Sequence, residues 1–197
     1  MSYIIPNDSG HVALLGIDKK IQNIQAIMKT YITWLDYSFG LVDRIVEKIE
    51  GGNIVFPAVF VSNVYDPISM LPSDKYSAFS FWVKKPDAEV IDEGTYPVRN
   101  AALKYNVSCI FYMNLPKVHI ADTWKESKSK ARQDTLNFFT KNVIGLGLIL
   151  KLVSIVDDDI TEVYEGFTME QIDNRFMMMP NYAIRYNFEL SFYPECP

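Results

Sequence analysis

Histidine and cysteine, which most often hold zinc or act as paired catalytic groups, occur only twice each among the 197 residues. His11 and His119 have no carboxylate or cysteine neighbour at ligand spacing, so the sequence argues against a zinc site. Cys109 lies in an alternating strand pattern, and Cys196 has no nearby partner. We therefore expect no disulfide framework and a reducing, intracellular setting.

Motifs that mark catalytic or cofactor sites are also missing. No Walker loop, G-x-S-x-G or G-x-G-x-x-G sequence occurs, and the Gly145–Gly147 segment follows a predicted helix rather than a strand. If Asp157 opened an EF-hand loop, its required glycine would fall on Glu162 and its final glutamate on Thr168. The sequence therefore predicts no enzyme activity, no cofactor and no metal, and a solvated turn at 157–159.

Long apolar runs and excess positive charge are absent too. The longest apolar run, Val143–Val156, is shorter than the ~20 residues of a spanning helix and contains Lys151. The first residues lack a basic region followed by an apolar run, so we expect no signal peptide, no membrane partner and a soluble protein. Nineteen Lys and Arg against 24 Asp and Glu give a net charge of −5, which argues against nonspecific nucleic-acid binding. An acidic inner surface would suit a passage through which DNA slides.

Aromatic residues, in contrast, make up 14% of the chain and are concentrated near its end. Their alternation predicts a final strand with one buried face, formed by Tyr182, Ile184, Tyr186, Phe188, Leu190 and Phe192. Met177, Met178 and Met179 precede this strand and are more typical of adaptable core packing than of a site, although such residues also suit an interface.

The first part of the chain divides into an arm at residues 1–16 and the start of a single α+β domain at residues 17–197. An amphipathic helix is predicted from apolar residues at spacings of three and four, namely Ile17, Ile21, Ile24, Met28, Tyr31 and Leu35. Leu41–Ile49 fits a helix or a strand, and Glu50–Asn53 is typical of a hairpin turn. Ile54–Val61 is predicted to be a strand covered on both faces, with an edge or a bulge at Pro57.

Two long irregular segments, Ser62–Lys75 and Lys84–Ala101, flank a predicted strand at Tyr76–Val83. A second strand follows, with Tyr105, Val107, Cys109, Phe111 and Met113 on one face. Loops of this length on a compact scaffold usually serve a function. If the protein assembles with copies of itself, we expect the isolated apolar residues of these loops to lie in contacts between subunits: Ile68, Met70, Leu71, Val90 and Ile91.

The second half predicts a helix opened by a capping box of Thr123 and Glu126. A strand at Leu148–Val156 follows, and then a short helix opened by Thr168 and Gln171. The element order indicates an α+β fold with a mainly antiparallel sheet and helices packed on one face.

Several segments, taken in order, resemble a set of tailed-phage and prophage proteins of Bacteroides-type hosts. These segments are Thr33–Gly40, Phe56–Val61, Leu71–Trp82, Glu162–Phe167 and Phe176–Cys196. The element order also resembles tail-terminator and tail-completion proteins, which are small α+β subunits that assemble as rings at the phage neck or tail. The resemblance covers residues 17–196 and carries no catalytic residues.

The resemblance implies a virion structural protein that forms a homo-oligomeric ring connecting the capsid portal to the tail. Its partners would be copies of itself, other neck, portal or tail proteins, and DNA that passes through the lumen without sequence-specific binding. Two other functions remain open. One is a protein-binding or assembly module that stays outside the virion, and the other is an enzyme with an unrecognised site.

Overall fold

The structure is a computed structural model that describes residues 3–5, 16–60, 67–91, 102–118, 123–141, 143, 146–157 and 159–193. Side chains are described from residue 16 onward within these ranges, except at 29 and 86–91. The predicted arm falls mostly outside the described residues, as do both histidines.

Nine strands and four helices make up the described chain. The strands are β1 (Tyr3–Ile5), β2 (Tyr37–Leu41), β3 (Asp43–Ile49), β4 (Gly52–Val59), β5 (Ile68–Ser69), β6 (Ala78–Ile91), β7 (Ala102–Asn114), β8 (Ile149–Val156) and β9 (Asn181–Phe192). The helices are α1 (Gly16–Tyr31), α2 (Leu115–Val118), α3 (Trp124–Lys141) and α4 (Ile160–Val163), and a 3₁₀ turn spans Asn174–Phe176.

The strands form two sheets. One has six strands in the order β1-β2-β6-β7-β9-β8, and the other has three in the order β3-β4-β5. β1, β2 and β6 run parallel, and the remaining neighbours are antiparallel. The two long helices pack on one face of the large sheet and the single turn of α4 on the other. The predicted α+β class with a mainly antiparallel sheet is confirmed.

The final strand β9 pairs on both sides, with β7 and with β8. All six alternating residues predicted to face inward are buried beneath α1 and α3. A strand in this position buries one face completely, which explains why the end of the sequence is so rich in aromatic residues.

The predicted first helix is confirmed, but it ends at Tyr31 rather than near Leu35. Ile17, Ile21, Ile24 and Met28 are buried against the large sheet, whereas Tyr31 is exposed. The chain leaves the helix through a turn and enters β2, so Leu35 reaches the same core from outside the helix.

The helix α3 begins at the predicted capping box. The Thr123 backbone N–H donates to Glu126 Oε2 at 3.0 Å, and the Glu126 N–H donates back to Thr123 Oγ1 at 3.4 Å. Such a pair satisfies donors that a helix start leaves open. The helix then buries Ala131, Phe138 and Phe139 in the main core.

The segment Leu41–Ile49, for which the sequence allowed a helix or a strand, forms strands. Leu41 ends β2, and β3 pairs with β4 from Asp43↔Ala58 to Ile49↔Gly52. Gly51 in the connecting turn has φ of 101°, a left-handed conformation that glycine adopts at little cost. The predicted hairpin turn is therefore confirmed.

Strand β4 is covered only in part, which corrects the expectation of burial on both faces. Its first residues, Gly52 and Asn53, are exposed, and continuous burial begins at Pro57. Pro57 lies in the middle strand of the small sheet rather than at an edge. Its carbonyl accepts from the Met70 N–H, but its nitrogen cannot donate in return, and the Met70 carbonyl accepts from the Tyr164 hydroxyl instead.

The predicted loop at Lys84–Ala101 is wrong over its first half. Strand β6 continues to Ile91 and pairs with β7 as far as Ile91↔Ala102. The register shifts between Lys84 and Ala88, and this irregularity accommodates Pro86 within the long hairpin.

The short helix predicted from Thr168 and Gln171 is also wrong. Thr168 instead joins the small sheet, because its hydroxyl accepts from the Val55 N–H at 2.9 Å and its own N–H donates to the Val55 carbonyl. The short helix α4 forms earlier, where the Asp159 side chain accepts from the Thr161 N–H at 2.7 Å.

Candidate interaction surface

The structure places three of the predicted interface residues in or beside a second hydrophobic core, which lies on the α4 side of the large sheet and includes Phe81, Tyr112 and Tyr164. Met70 is fully buried (0% exposed), and its carbonyl accepts from the Tyr164 hydroxyl at 3.2 Å. Ile68 and Leu71 are half-buried and pack against the same cluster. Met70 therefore lies in the interior of the chain itself, which corrects its predicted place in an interface to a place in the core.

The other two predicted residues, Val90 and Ile91, lie at the end of β6. Val90 pairs with Leu103 and Ile91 with Ala102 in β7. Their side chains are outside the described residues, so their predicted interface role stays a prediction.

Strand β3 is one exposed edge that sequence reasoning did not single out. In the described part of the chain it pairs only with β4. Six of its seven residues are exposed, and Val46 (57%) and Ile49 (41%) are apolar. Among the described residues, the strand therefore presents backbone groups without a strand partner on its outer side, together with apolar side chains.

Strand β8 is a second such edge, at the end of the six-stranded sheet, and among the described strands it pairs only with β9. Ile149 (69%) and Val153 (58%) are exposed apolar residues, with the exposed Lys151 between them. The register shifts between Leu152 and Ser154, so the regular part of the edge is its first half. Open edges of this kind are ready templates for another strand.

Charged and polar side chains cover the outer face of the large sheet beside β8. Glu189 lies between Lys104 on β7 and Lys151 on β8, each nitrogen 3.2 Å from one of its carboxylate oxygens. Hydrogen bonds from the two lysines hold the pKa of Glu189 below its usual value. Asn187 continues this row, accepting from Ser108 at 2.6 Å and donating to Ser154 at 2.9 Å.

The Asp157 carboxylate, just after the end of β8, stabilises the fold. It accepts from Arg132 Nε at 2.7 Å and from the Tyr182 hydroxyl at 3.3 Å, and these bonds connect α3, the end of β8 and the start of β9. Burial, assisted by the Asp157 charge, raises the pKa of Tyr182. Among the residues the structure describes, no group of three or more His, Cys, Asp or Glu side chains could hold a metal ion.

A polar groove of about 280 Å³ lies beside the 3₁₀ turn, lined by Ser73, Asp74, Tyr76, Asn114, Lys117, Arg175, Phe176 and Asn181. The Asn114 side chain donates to Asn181, which in turn donates to the Arg175 carbonyl. The Arg175 guanidinium is paired with Asp173 at 2.8 Å. These bonds hold the turn against the sheet, so Asn114, Asn181 and Arg175 have structural partners within the groove.

No helix in the described ranges is long and apolar enough to cross a membrane. In comparisons with known proteins, no protein-family model and no curated protein matches the chain. Among the edge strands whose side chains the structure describes, β3 and β8 carry the exposed large apolar residues.

Sequence reasoning passed over these edges because an edge strand and a central strand of similar composition look alike. One local signal was available. Lys151 and Ser154 interrupt the apolar run of β8, and a lysine within a strand is typical of an edge.

Proposed function

We propose that this chain is a ring-forming structural subunit of the neck or tail of a tailed phage, acting as a tail-completion or connector protein between portal and tail. The resemblance of five segments to tailed-phage proteins supports the proposal. The α+β class agrees with that of tail-terminator subunits.

The observation that carries the proposal is that two edge strands in two different sheets, β3 and β8, expose apolar side chains among the described residues. β3 belongs to the small sheet and β8 to the large one. A closed ring is built from head-to-tail contacts, in which one surface of each subunit meets a different surface of the next. A subunit with two unlike adhesive edges meets this requirement, whereas a single edge would favour a two-fold dimer.

The net charge of −5 supports a passive role toward DNA. An acidic lumen repels phosphate, so DNA would pass without being held.

Native mass spectrometry of the purified chain, together with peptide mass analysis of purified phage particles, tests the proposal. We expect one closed oligomer larger than a dimer and peptides of this chain in the particles. A chain that stays monomeric at micromolar concentration and is missing from the particles would overturn the proposal in favour of an assembly factor outside the virion.

A further inference from the structure

We infer that the ring closes by strand addition, with β3 of one subunit pairing antiparallel to β8 of the next. This inference rests on the proposed ring and names the surfaces that join its subunits. The occupant of the β8 edge is thus a second copy of this chain.

Charge complementarity favours this pairing. The regular part of β8 reads Ile149-Leu150-Lys151-Leu152, and the end of β3 reads Val46-Glu47-Lys48-Ile49. In an antiparallel register that places Glu47 opposite Lys151, Ile49 lies opposite Ile149 and Val46 opposite Leu152. Oppositely charged and apolar cross-strand pairs both stabilise such a ladder.

The exposure of these residues agrees with the same register. Ile49 and Ile149 are both exposed in the subunit, and pairing would bring them together and shield part of each from water. The antiparallel direction also uses only the part of β8 before its register shift at Leu152. A parallel arrangement with Glu47 opposite Lys151 would carry Ile49 to Val153, inside the irregular part.

Existing contacts of the two charged residues permit the pairing. Lys151 binds Glu189, but Glu189 is also bound by Lys104, and an ammonium group has three donors to share. Glu47 is exposed and has no ion pair among the described residues. The lysine can therefore bridge the carboxylates of two subunits.

Antiparallel pairing of either edge with a copy of itself, centred on its charged residue, is disfavoured. Two β8 strands with Ile149 opposite Val153 would place Lys151 against Lys151, and two β3 strands with Ile45 opposite Ile49 would place Glu47 against Glu47. Like charges directly opposite destabilise a strand pair. The unlike pairing removes this repulsion and generates a head-to-tail contact.

Disulfide trapping between separate chains tests the inference, with Cys196→Ser as the background so that only the buried Cys109 remains. Chains carrying Ile49→Cys are mixed with chains carrying Ile149→Cys, and the matched control mixes Ile49→Cys with Val153→Cys. In the proposed register the first pair has Cα atoms about 5 Å apart. The control pair is offset by four residues, or about 13 Å.

We expect an oxidised dimer in the first mixture, little in the control mixture, and none when either single variant is oxidised alone. A dimer from Ile149→Cys alone would show β8–β8 pairing and overturn the inference. Equal trapping in both mixtures, or more in the control, would overturn the antiparallel register.

Measuring the oligomer size of the chain without cross-linking distinguishes a failure of this inference from a failure of the proposed function. If the chain forms a closed oligomer and the Ile49 and Ile149 variants do not cross-link, the strand pairing is wrong while the ring stands. If the chain forms no oligomer and is missing from particles, the proposed function fails and the inference fails with it.

Discussion

The rings of Phe188 on β9 and Phe139 on α3 pack against each other with their centroids 4.7 Å apart, and this contact joins the strand to the helix. Phe188 also lies 6.0 Å from the ring of Trp82 on β6. Three elements that are distant in sequence therefore meet at one side chain, which is 2% exposed.

Truncation of Phe188 should destabilise the subunit strongly. Phe188→Ala is expected to lower the free energy of unfolding by about 3–5 kcal/mol, because it removes buried aromatic surface and leaves a cavity. Denaturant unfolding monitored by circular dichroism measures this change. The exposed Val153→Ala variant is the control and should change stability by less than about 0.5 kcal/mol. A loss below about 1 kcal/mol for Phe188→Ala would contradict its place in the core.

Met70 offers a test between a core role and an interface role. Because its side chain is fully buried in the subunit, Met70→Ala should cost about 2–5 kcal/mol of stability even in the isolated subunit. The matched control is Met178→Ala, which truncates an exposed methionine and should have little effect. If Met70→Ala left the stability of the subunit unchanged and weakened only its assembly, the original prediction of an interface residue would be restored.

Glu189 should contribute stability that depends on pH. Its pKa in the folded state lies below the usual 4.5, so its contribution is fully present above about pH 4.5 and is lost as pH falls through the lower folded value. The wild type should therefore be more stable than Glu189→Gln at pH 7, and the difference should shrink toward pH 3. Urea unfolding across this range, with exposed Glu170→Gln as control, measures the effect. A difference that stays constant with pH would show that the two lysines do not favour the ionised form.

How well the sequence predicted each feature depends on how local its cause is. The capping box at Thr123 needs only two residues within one turn, and the alternation in β9 is fixed by backbone geometry, so both were predictable. Thr168 and Gln171 have the same capping pattern, but a hydrogen bond to Val55, 113 residues away, places Thr168 at the small sheet instead. The local capping pattern gives no sign of this distant hydrogen-bond partner.

The burial of Met70 and the extension of β6 also depend on distant partners. The composition of Lys84–Ile91, with Pro86 and Asp87, is typical of a loop, yet pairing with β7 keeps the segment in the sheet. Edge position is equally non-local, because it is decided by which strands lie beside β3 and β8. The predicted interface therefore fell on loops, while the exposed apolar surface of the described chain is prominent on strand edges.

Reversing either of the two proposed interface charges should weaken the assembly, and mixing the two reversed variants should restore it. In the wild type the proposed contact places Glu47 opposite Lys151. Glu47→Lys places two lysines at each contact and Lys151→Glu places two glutamates there, so each variant alone should form much less of the oligomer. In an equimolar mixture the introduced lysine of one chain meets the introduced glutamate of the other, and the native pair also forms between unlike chains. The mixture should therefore recover assembly in sedimentation velocity, with an oligomer of wild-type size if the ring has an even number of copies, because the two variants must alternate around it.

The matched control is Lys104→Glu, which removes the other partner of Glu189 while leaving the β8 edge unchanged. It should assemble as the wild type does, because Lys104 lies on β7 inside the sheet and away from the proposed contact. If Lys104→Glu disrupts assembly as much as Lys151→Glu, the loss comes from the charge balance around Glu189 and not from the edge. If the mixture of the two exchanged variants stays dissociated, Glu47 and Lys151 do not face each other across the contact, and another pair of surfaces must close the ring.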